Sequence, residues 1–236
     1  MKQKMLFSLV FEDNNLIVVN KASGISVGGD RWDCTQNRLD RLLGKSVQVV
    51  HRIDKETSGL VVFAKNKETH GKLCSFFEKR AVEKTYIAVI HGKPLWKETV
   101  CELGLVPDGN KKHQTIIDMY RGKKSRTVFK MMFSAGNYSV IAAMPETGRT
   151  HQIRVSLAHL RHPIVCDDLY GTSKPLLLSS FKRGWRGDPQ DERPLISRLA
   201  LHAAKLRIPG MQDFVAPLPK DFKSVVYQFE KNGEKT

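Results

Sequence analysis

The chain has 236 residues, 41% of them hydrophobic, which is enough for one sizeable domain or two closely joined halves around a continuous core. A formal charge of +15 suits a polyanionic partner, and no stretch approaches the roughly 18 apolar residues of a membrane span. Cys34, Cys74, Cys101 and Cys166 lie far apart without a CxxC pair, and no HExxH pattern is present, so a disulfide framework or a zinc site is not expected.

The elements are expected in the following order. Lys2 and Lys4 precede a seven-residue apolar run, Met5 to Phe11, that ends at Glu12-Asp13 without a small-residue cleavage site. This reads as a first strand rather than a signal peptide, and the protein is expected in the cytoplasm. Strands follow at Leu16–Asn20 and Leu60–Ala64, then a helix from Lys67 to Arg80 capped by Asn66, with Leu73, Phe76 and Phe77 on one face. Tyr86–Ile90, Ser125–Phe133 and Tyr138–Ala143 read as strands. A helix over Thr150–Leu160 carries Ile153, Leu157 and Leu160 at helical spacing and is closed by Pro163. Ser173–Pro194 mixes Gly, Pro, Lys, Arg and Trp without periodicity and is expected to be a long functional loop. Leu199–Ile208 returns to strand, and Lys220–Phe229 closes the chain as a short helix. Neighbouring strands with few helices favour α+β with a mostly antiparallel sheet. The basic residues are spread through GNKKH, LRHP and KPLLLSSFKRGWRG, not gathered on one amphipathic helix, which argues against a membrane surface.

Two segments carry the chemistry. In HRIDKETSGLVVFAK, residues 51–65, His51, Arg52 and Asp54 stand just before a turn (Thr57, Ser58, Gly59) that leads into an apolar strand. A loop held by a rigid element is a common way to display a reactive side chain. The residues alone leave two readings open: a displayed carboxylate, or a structural Arg-Asp pair at the mouth of a core strand. A kinase HRD loop is ruled out, since no Asn follows at the required spacing and no Gly-rich loop precedes. In GRTHQIRVSLAHLRHPIVCDDLYG, residues 148–171, His151 and Arg154 lie three apart on the expected helix and are neighbours. Such a basic pair faces either phosphates or a carboxylate, or is simply a solvated face.

Both segments resemble the signature motifs of the RluA family of pseudouridine synthases, which isomerise uridine within RNA. LIVVNKASG (Leu16 to Gly24), YIAVIHG (Tyr86 to Gly92) and RLALHAAKLRI (Arg198 to Ile208) resemble further family segments in the right order, and the resemblance runs from about Asn15 to Phe222. The chain departs from the pattern at Ala22 (usually proline), Ser156 (commonly histidine) and Cys166 (often glycine). These departures bear on the substrate loops and so on the choice of RNA.

The resemblance implies a pseudouridine synthase core: a curved, mixed but mostly antiparallel sheet with flanking helices and a central RNA-binding cleft. The whole chain, residues 1–236 with a core of about 15–222, is expected to be a single catalytic domain, without the N-terminal RNA-binding domain that part of the family carries. Asp54 is implied as the covalent catalyst, Tyr86 as the ring that stacks on the flipped uracil, and Arg154 as the cation that pairs with Asp54, with Arg149 as the alternative. Arg52 would fill the space left by the extruded nucleotide. His51, Lys21, Arg149 and His151 complete the expected substrate contacts, and Lys21, Lys65 and His51 are expected either to support the loop geometry or to contact phosphate. The reaction oxidises, hydrolyses and transfers nothing, so neither cofactor nor metal is expected. The expected partner is ribosomal or transfer RNA, and the expected state a monomer. Two other classes of function fit these residues less well. A non-catalytic RNA-binding module would have no physical reason to keep an anion among phosphates. A glycosidase-like hydrolase would need a second acid, and Glu56 on the same loop could not flank a bond with Asp54.

Overall fold

The segment SGLVVFA is buried along its whole length on both faces. Such a strand must have neighbours on either side and cover above and below, and this one organises the half of the chain that bears Asp54. In the computed structural model, which describes residues 6–29, 34–232 and 234–235, the elements in chain order are β1 (Phe7–Glu12), β2 (Leu16–Lys21), α1 (Thr35–Leu43), β3 (Gln48–Val49), β4 (Ser58–Ala64), α2 (Lys67–Glu78), β5 (Glu83–His91), β6 (Glu98–Val106), β7 (Ile116–Ile117), β8 (Lys123–Ala135), β9 (Tyr138–Pro145), α3 (Gln152–His159), β10 (Leu201–Arg207), β11 (Phe214–Val215), α4 (Lys220–Asn232) and β12 (Glu234–Lys235). Two compact units emerge: Met1–Thr85 with His202–Pro217, and Tyr86–Leu201 with Leu218–Thr236.

In the first unit β2 runs antiparallel to β4 from Leu16↔Ala64 to Lys21↔Gly59, and β1 pairs with β2. The other side of β4 is shared: β3 covers Phe63 and Ala64, while β10 runs parallel at Ser58 and Gly59. The core gathers Leu16, Val18, Leu60, Val62, Leu73, Leu206 and Phe214. Full burial of Leu60, Val61, Val62 and Phe63 contributes roughly 1.5–3 kcal/mol each before entropy is counted. The α2 helix starts as its sequence predicts, with the Asn66 side chain accepting the Thr69 N–H at 2.9 Å.

The second unit is an antiparallel ladder in the order β5-β9-β8-β6-β7, with β12 on β8. Tyr86 faces Ala143 across β5–β9, and a bulge falls between Met131 and Phe133 on β8. Its core includes Val89, Ile90, Phe129, Ile141 and Leu157, with Phe222, Val225 and Phe229 contributed by α4. The α3 helix packs on β6, β8 and β9. Within the units every pairing between strands is antiparallel except β10 on β4, so the α+β class with a mostly antiparallel sheet holds.

Several expected boundaries move by up to three residues, and six elements were not expected: α1, β3, β6, β7, β11 and β12. The N-cap of α1 is the Cys34 sulfur, which accepts from Asn37 N, and cysteine is not a residue type that announces a helix start. Residues 173–194 form turns, as expected of the long loop, anchored where Phe181 packs edge-on against Phe229 and Tyr138.

Gly59 holds the junction of β4 with β10. Its φ of +118° suits glycine, and a Cβ there would lie 2.2 Å from the Ala203 carbonyl oxygen. Gly59→Ala is expected to cost on the order of 2–4 kcal/mol, from backbone strain and overpacking together. Urea unfolding of the variant checks this; unchanged stability would contradict the close approach.

Candidate active site

Asp54 sits on the loop between β3 and β4, and its neighbours fasten that loop from below. Lys21, at the end of β2, is fully buried, and its Nζ donates to the carbonyls of Ala22 (2.9 Å) and Lys55 (3.0 Å). Gly24 N donates to Lys55 O at 2.9 Å, and Ser23 Oγ to Glu56 O at 2.6 Å. Thr57 N closes the turn on Asp54 O at 3.1 Å. Lys21, an expected substrate contact, therefore lies beneath the loop, and what it does for a substrate it does through the loop.

His51 is likewise turned to the fold. Its ring stacks on Phe77 with centroids 4.5 Å apart, and its Nε2 accepts the Val62 N–H at 3.1 Å, next to where the β3–β4 ladder stops. Burial, helped by the charge of Lys84, pushes its pKa down to about 3, so the ring is neutral. Arg52 is exposed and Asp54 partly buried. Among the described residues neither the Arg52 guanidinium nor the Asp54 carboxylate has a hydrogen-bond or ion-pair partner. The structural Arg-Asp pair is thus absent from this loop. Lys65, the other loop-support candidate, instead ties β4 to the β1–β2 turn through Glu12 and Asp13, both at 2.6 Å.

In the second unit the motif 148–171 is built around two buried polar groups that sequence reading had not assigned. Gln152 Oε1 accepts from Thr147 Oγ1 (2.7 Å) and Arg149 N (3.0 Å), while its Nε2 donates to Arg126 O and Thr127 Oγ1. This amide clamps the loop before α3 onto β8. Asp167, fully buried, receives Arg154 Nε at 2.9 Å and Nη2 at 2.7 Å in a two-bond fork, and its Oδ1 also accepts Leu169 N and Tyr170 N. The Arg154 guanidinium lies 5.3 Å from the centroid of the Tyr170 ring. In this structure the carboxylate gripped by Arg154 is therefore Asp167. The fork uses two of five guanidinium N–H donors, and removing Asp167 would strand a buried charge at a cost of about 3–5 kcal/mol.

His151 caps α3 with a left-handed backbone, φ +53°, a conformation uncommon outside glycine and concentrated at sites under other constraints. Its Nδ1 lies 2.9 Å from Tyr170 Oη, which also accepts Thr115 N at 2.7 Å. Burial pushes the Tyr170 phenol up, an effect the Thr115 N–H partly offsets. Arg149 is half-buried, with Nε on Lys124 O at 3.2 Å. Tyr86, half-buried on β5, packs against the second core. The first unit thus carries Lys21, His51, Arg52 and Asp54, and the second carries Tyr86, Arg149, His151 and Arg154. Among the described residues no group of three His, Cys, Asp or Glu side chains could hold a metal ion, and no helix is long and apolar enough to cross a membrane.

Comparison with known proteins shows the family of the chain. The family profile described as RNA pseudouridylate synthase matches residues 15–159, a span that includes Asp54, Tyr86 and Arg154. The chain is 31% identical to the ribosomal large subunit pseudouridine synthase D of Borreliella burgdorferi, over 96% of this chain and 70% of that one. It is 34% identical to the ribosomal large subunit pseudouridine synthase C of Buchnera aphidicola subsp. Schizaphis graminum, over 94% and 71%. The solved structure of human RNA Pseudouridylate Synthase Domain Containing 1 superposes with a TM-score of 0.74 at 26% identity, covering all of this chain and 92% of that one. The chain belongs to the RNA pseudouridylate synthase family, as its RluA-like motifs imply. It is an isomerase that turns uridine in RNA into pseudouridine.

The neutral His51 ring makes a pH prediction. Its folded pKa lies below the ordinary 6.5, so its contribution to stability is complete above pH 6.5 and is lost as the pH falls towards 3, where the unfolded chain binds a proton that the folded ring refuses. His51→Gln keeps an acceptor for Val62 N–H and does not titrate. Urea unfolding between pH 7 and 4.5 should show wild type losing up to about 1.4 kcal/mol per pH unit more than the variant. Parallel profiles would contradict the assignment.

Proposed function

We propose that the chain acts as a single catalytic domain on ribosomal RNA of the large subunit, with Asp54 as its covalent catalyst. The observation that carries the catalytic part is the state of that carboxylate: displayed on a loop that Lys21, Ser23, Gly24 and His51 hold, while the acid itself takes no part in the holding. A carboxylate that holds no part of the loop can form and break a bond to substrate without loosening the structure that displays it. The large-subunit reading draws on the names of the relatives in Borreliella and Buchnera.

The chemistry follows from what a uridine in folded RNA hides. The nucleotide must leave the stack, losing a few kcal/mol of stacking and pairing. Arg52, exposed and unpaired among the described residues, has the flat guanidinium suited to fill the space and contact phosphate. Asp54 bonds transiently to the nucleotide and is released unchanged. The bond from sugar C1′ to N1 breaks, the uracil turns, C1′ bonds to C5, and the C5 proton leaves as N1 gains one. Tyr86 stacks on the uracil and helps move that proton. Arg154, oriented by Asp167, supplies positive charge to the reacting anion, and Arg149 and His151 contact the RNA backbone. The loop 173–194, with its Lys182, Arg183 and Arg186, adds further phosphate contacts. No bound cofactor enters this sequence of steps, and a monomer suffices for it.

The test is release of tritium from C5-labelled uridine in unmodified large-subunit ribosomal and transfer RNA transcripts, with wild type and Asp54→Asn side by side. Release from the ribosomal transcript that the variant lowers by at least about 10³-fold is expected. Release from transfer RNA alone would overturn the substrate, and full activity of Asp54→Asn would overturn the role of the acid.

A further inference from the structure

The turn between β7 and β8 is held more tightly than its exposure suggests. Asp118 Oδ1 accepts the N–H groups of Tyr120 and Arg121, both at 2.9 Å. Gly122 N donates to Asp118 O at 2.8 Å, and Asp118 N to Gly104 O at 2.9 Å, which ties the turn to β6. Neither glycine has room for a side chain: a Cβ on Gly104 would lie 2.3 Å from Asp118 O, and one on Gly122 would lie 2.2 Å from the Gly104 carbonyl carbon. The two N–H donors, with the Arg121 charge, hold the Asp118 carboxyl below the usual carboxylate range.

What this fixed turn presents is a tyrosine in open solvent. Tyr120 is 101% exposed, and Met119 beside it 65%. Arg121, Lys123 and Lys124, next along the chain, are exposed as well. A ring left wholly bare adds no burial to the fold, while the turn that carries it is fixed. The turn is also continuous with the RNA-directed motif, because Lys124 O receives Arg149 Nε at 3.2 Å. An exposed aromatic ring on a stretch of chain rich in exposed cations fits one partner in particular: an unpaired base whose flanking phosphates the cations neutralise.

We infer that Tyr120 is a stacking platform for an unpaired base of the RNA substrate, with Arg121, Lys123 and Lys124 holding the adjoining phosphates. The inference rests on RNA being the substrate and is independent of which RNA it is and of the role of Asp54. Because the turn is preorganised, stacking orders little that was loose, so the ring's contribution appears almost fully in affinity.

The experiment measures binding of fluorescein-labelled single-stranded oligouridylate, and of a labelled RNA duplex of equal length, over a series of salt concentrations. Tyr120→Ala should weaken oligouridylate binding fivefold or more and leave its salt slope and the duplex affinity unchanged. Tyr120→Phe should bind as wild type does, and Lys123→Ala/Lys124→Ala should lower the slope by about 0.7 per cation. Thermal unfolding of Tyr120→Ala should match wild type, since the ring touches no core. Oligouridylate affinity that is the same in wild type and Tyr120→Ala overturns the inference, as does equal weakening by Phe and Ala. Wild type that binds neither probe overturns it together with the RNA reading of the basic surface, whereas wild type that binds both without releasing tritium counts against the catalytic proposal alone.

Discussion

A buried ammonium is the constraint on which the Asp54 loop depends. Lys21 has no exposed surface, and a charge so placed is tolerable only if hydrogen bonds replace the water it has lost. The carbonyls of Ala22 and Lys55 supply two of them, and so join the loop after β2 to the loop before β4. Ser23 and Gly24 add bonds to the next peptide units, and the neutral His51 ring fastens the other end of the loop to β4. The loop can shift only by exposing or unpairing that ammonium. A polar network of this kind is strong when fully satisfied and costly when broken, which makes it a good mount for a group that must itself stay unengaged.

The second unit divides the labour in the same way. Gln152 and Asp167 are buried holders, and Arg149, His151 and Arg154 are the groups they orient. Backbone strain accompanies both arrangements: His151 and Cys166 are left-handed without being glycine. At Cys166 the departure from the family's glycine is partly offset by the thiol, which reaches the carbonyls of Lys174 at 3.3 Å and Ile196 at 3.6 Å and so tethers both ends of the long basic loop. Burial pushes this thiol's pKa up.

Much of the fold was legible because local signals and tertiary packing agree. Asn66 caps α2, Pro163 follows α3, and the apolar run of β4 is buried on both faces. β6 was not expected: Cys101, Leu103 and Leu105 alternate with outward Glu98, Val100 and Glu102, but its glycine and acids mask the pattern. The Cys34 cap of α1 was not legible. At the site, spacing alone left both segments open, Asp54 and Arg52 between display and a structural pair, His151 and Arg154 between binding and a solvated face, and it could not tell a holder from a displayed group. Lys21 and His51 carry the same polar atoms whether they face RNA or the core, and only the register of β2 and β4 decides. Asp167 lies 13 residues from Arg154 across a turn, so no helical spacing could pair them.

The central claim is that the fold holds the loop and leaves Asp54 free for chemistry. Urea unfolding of Asp54→Asn and Asp54→Ala at pH 7, on the same preparations assayed for pseudouridine formation, tests it most directly. Both variants are expected to lie within about 0.5 kcal/mol of wild type in stability while losing activity. Destabilisation of about 2 kcal/mol or more, as loss of a buried ion-pair partner would cause, would contradict it and return Asp54 to a structural role.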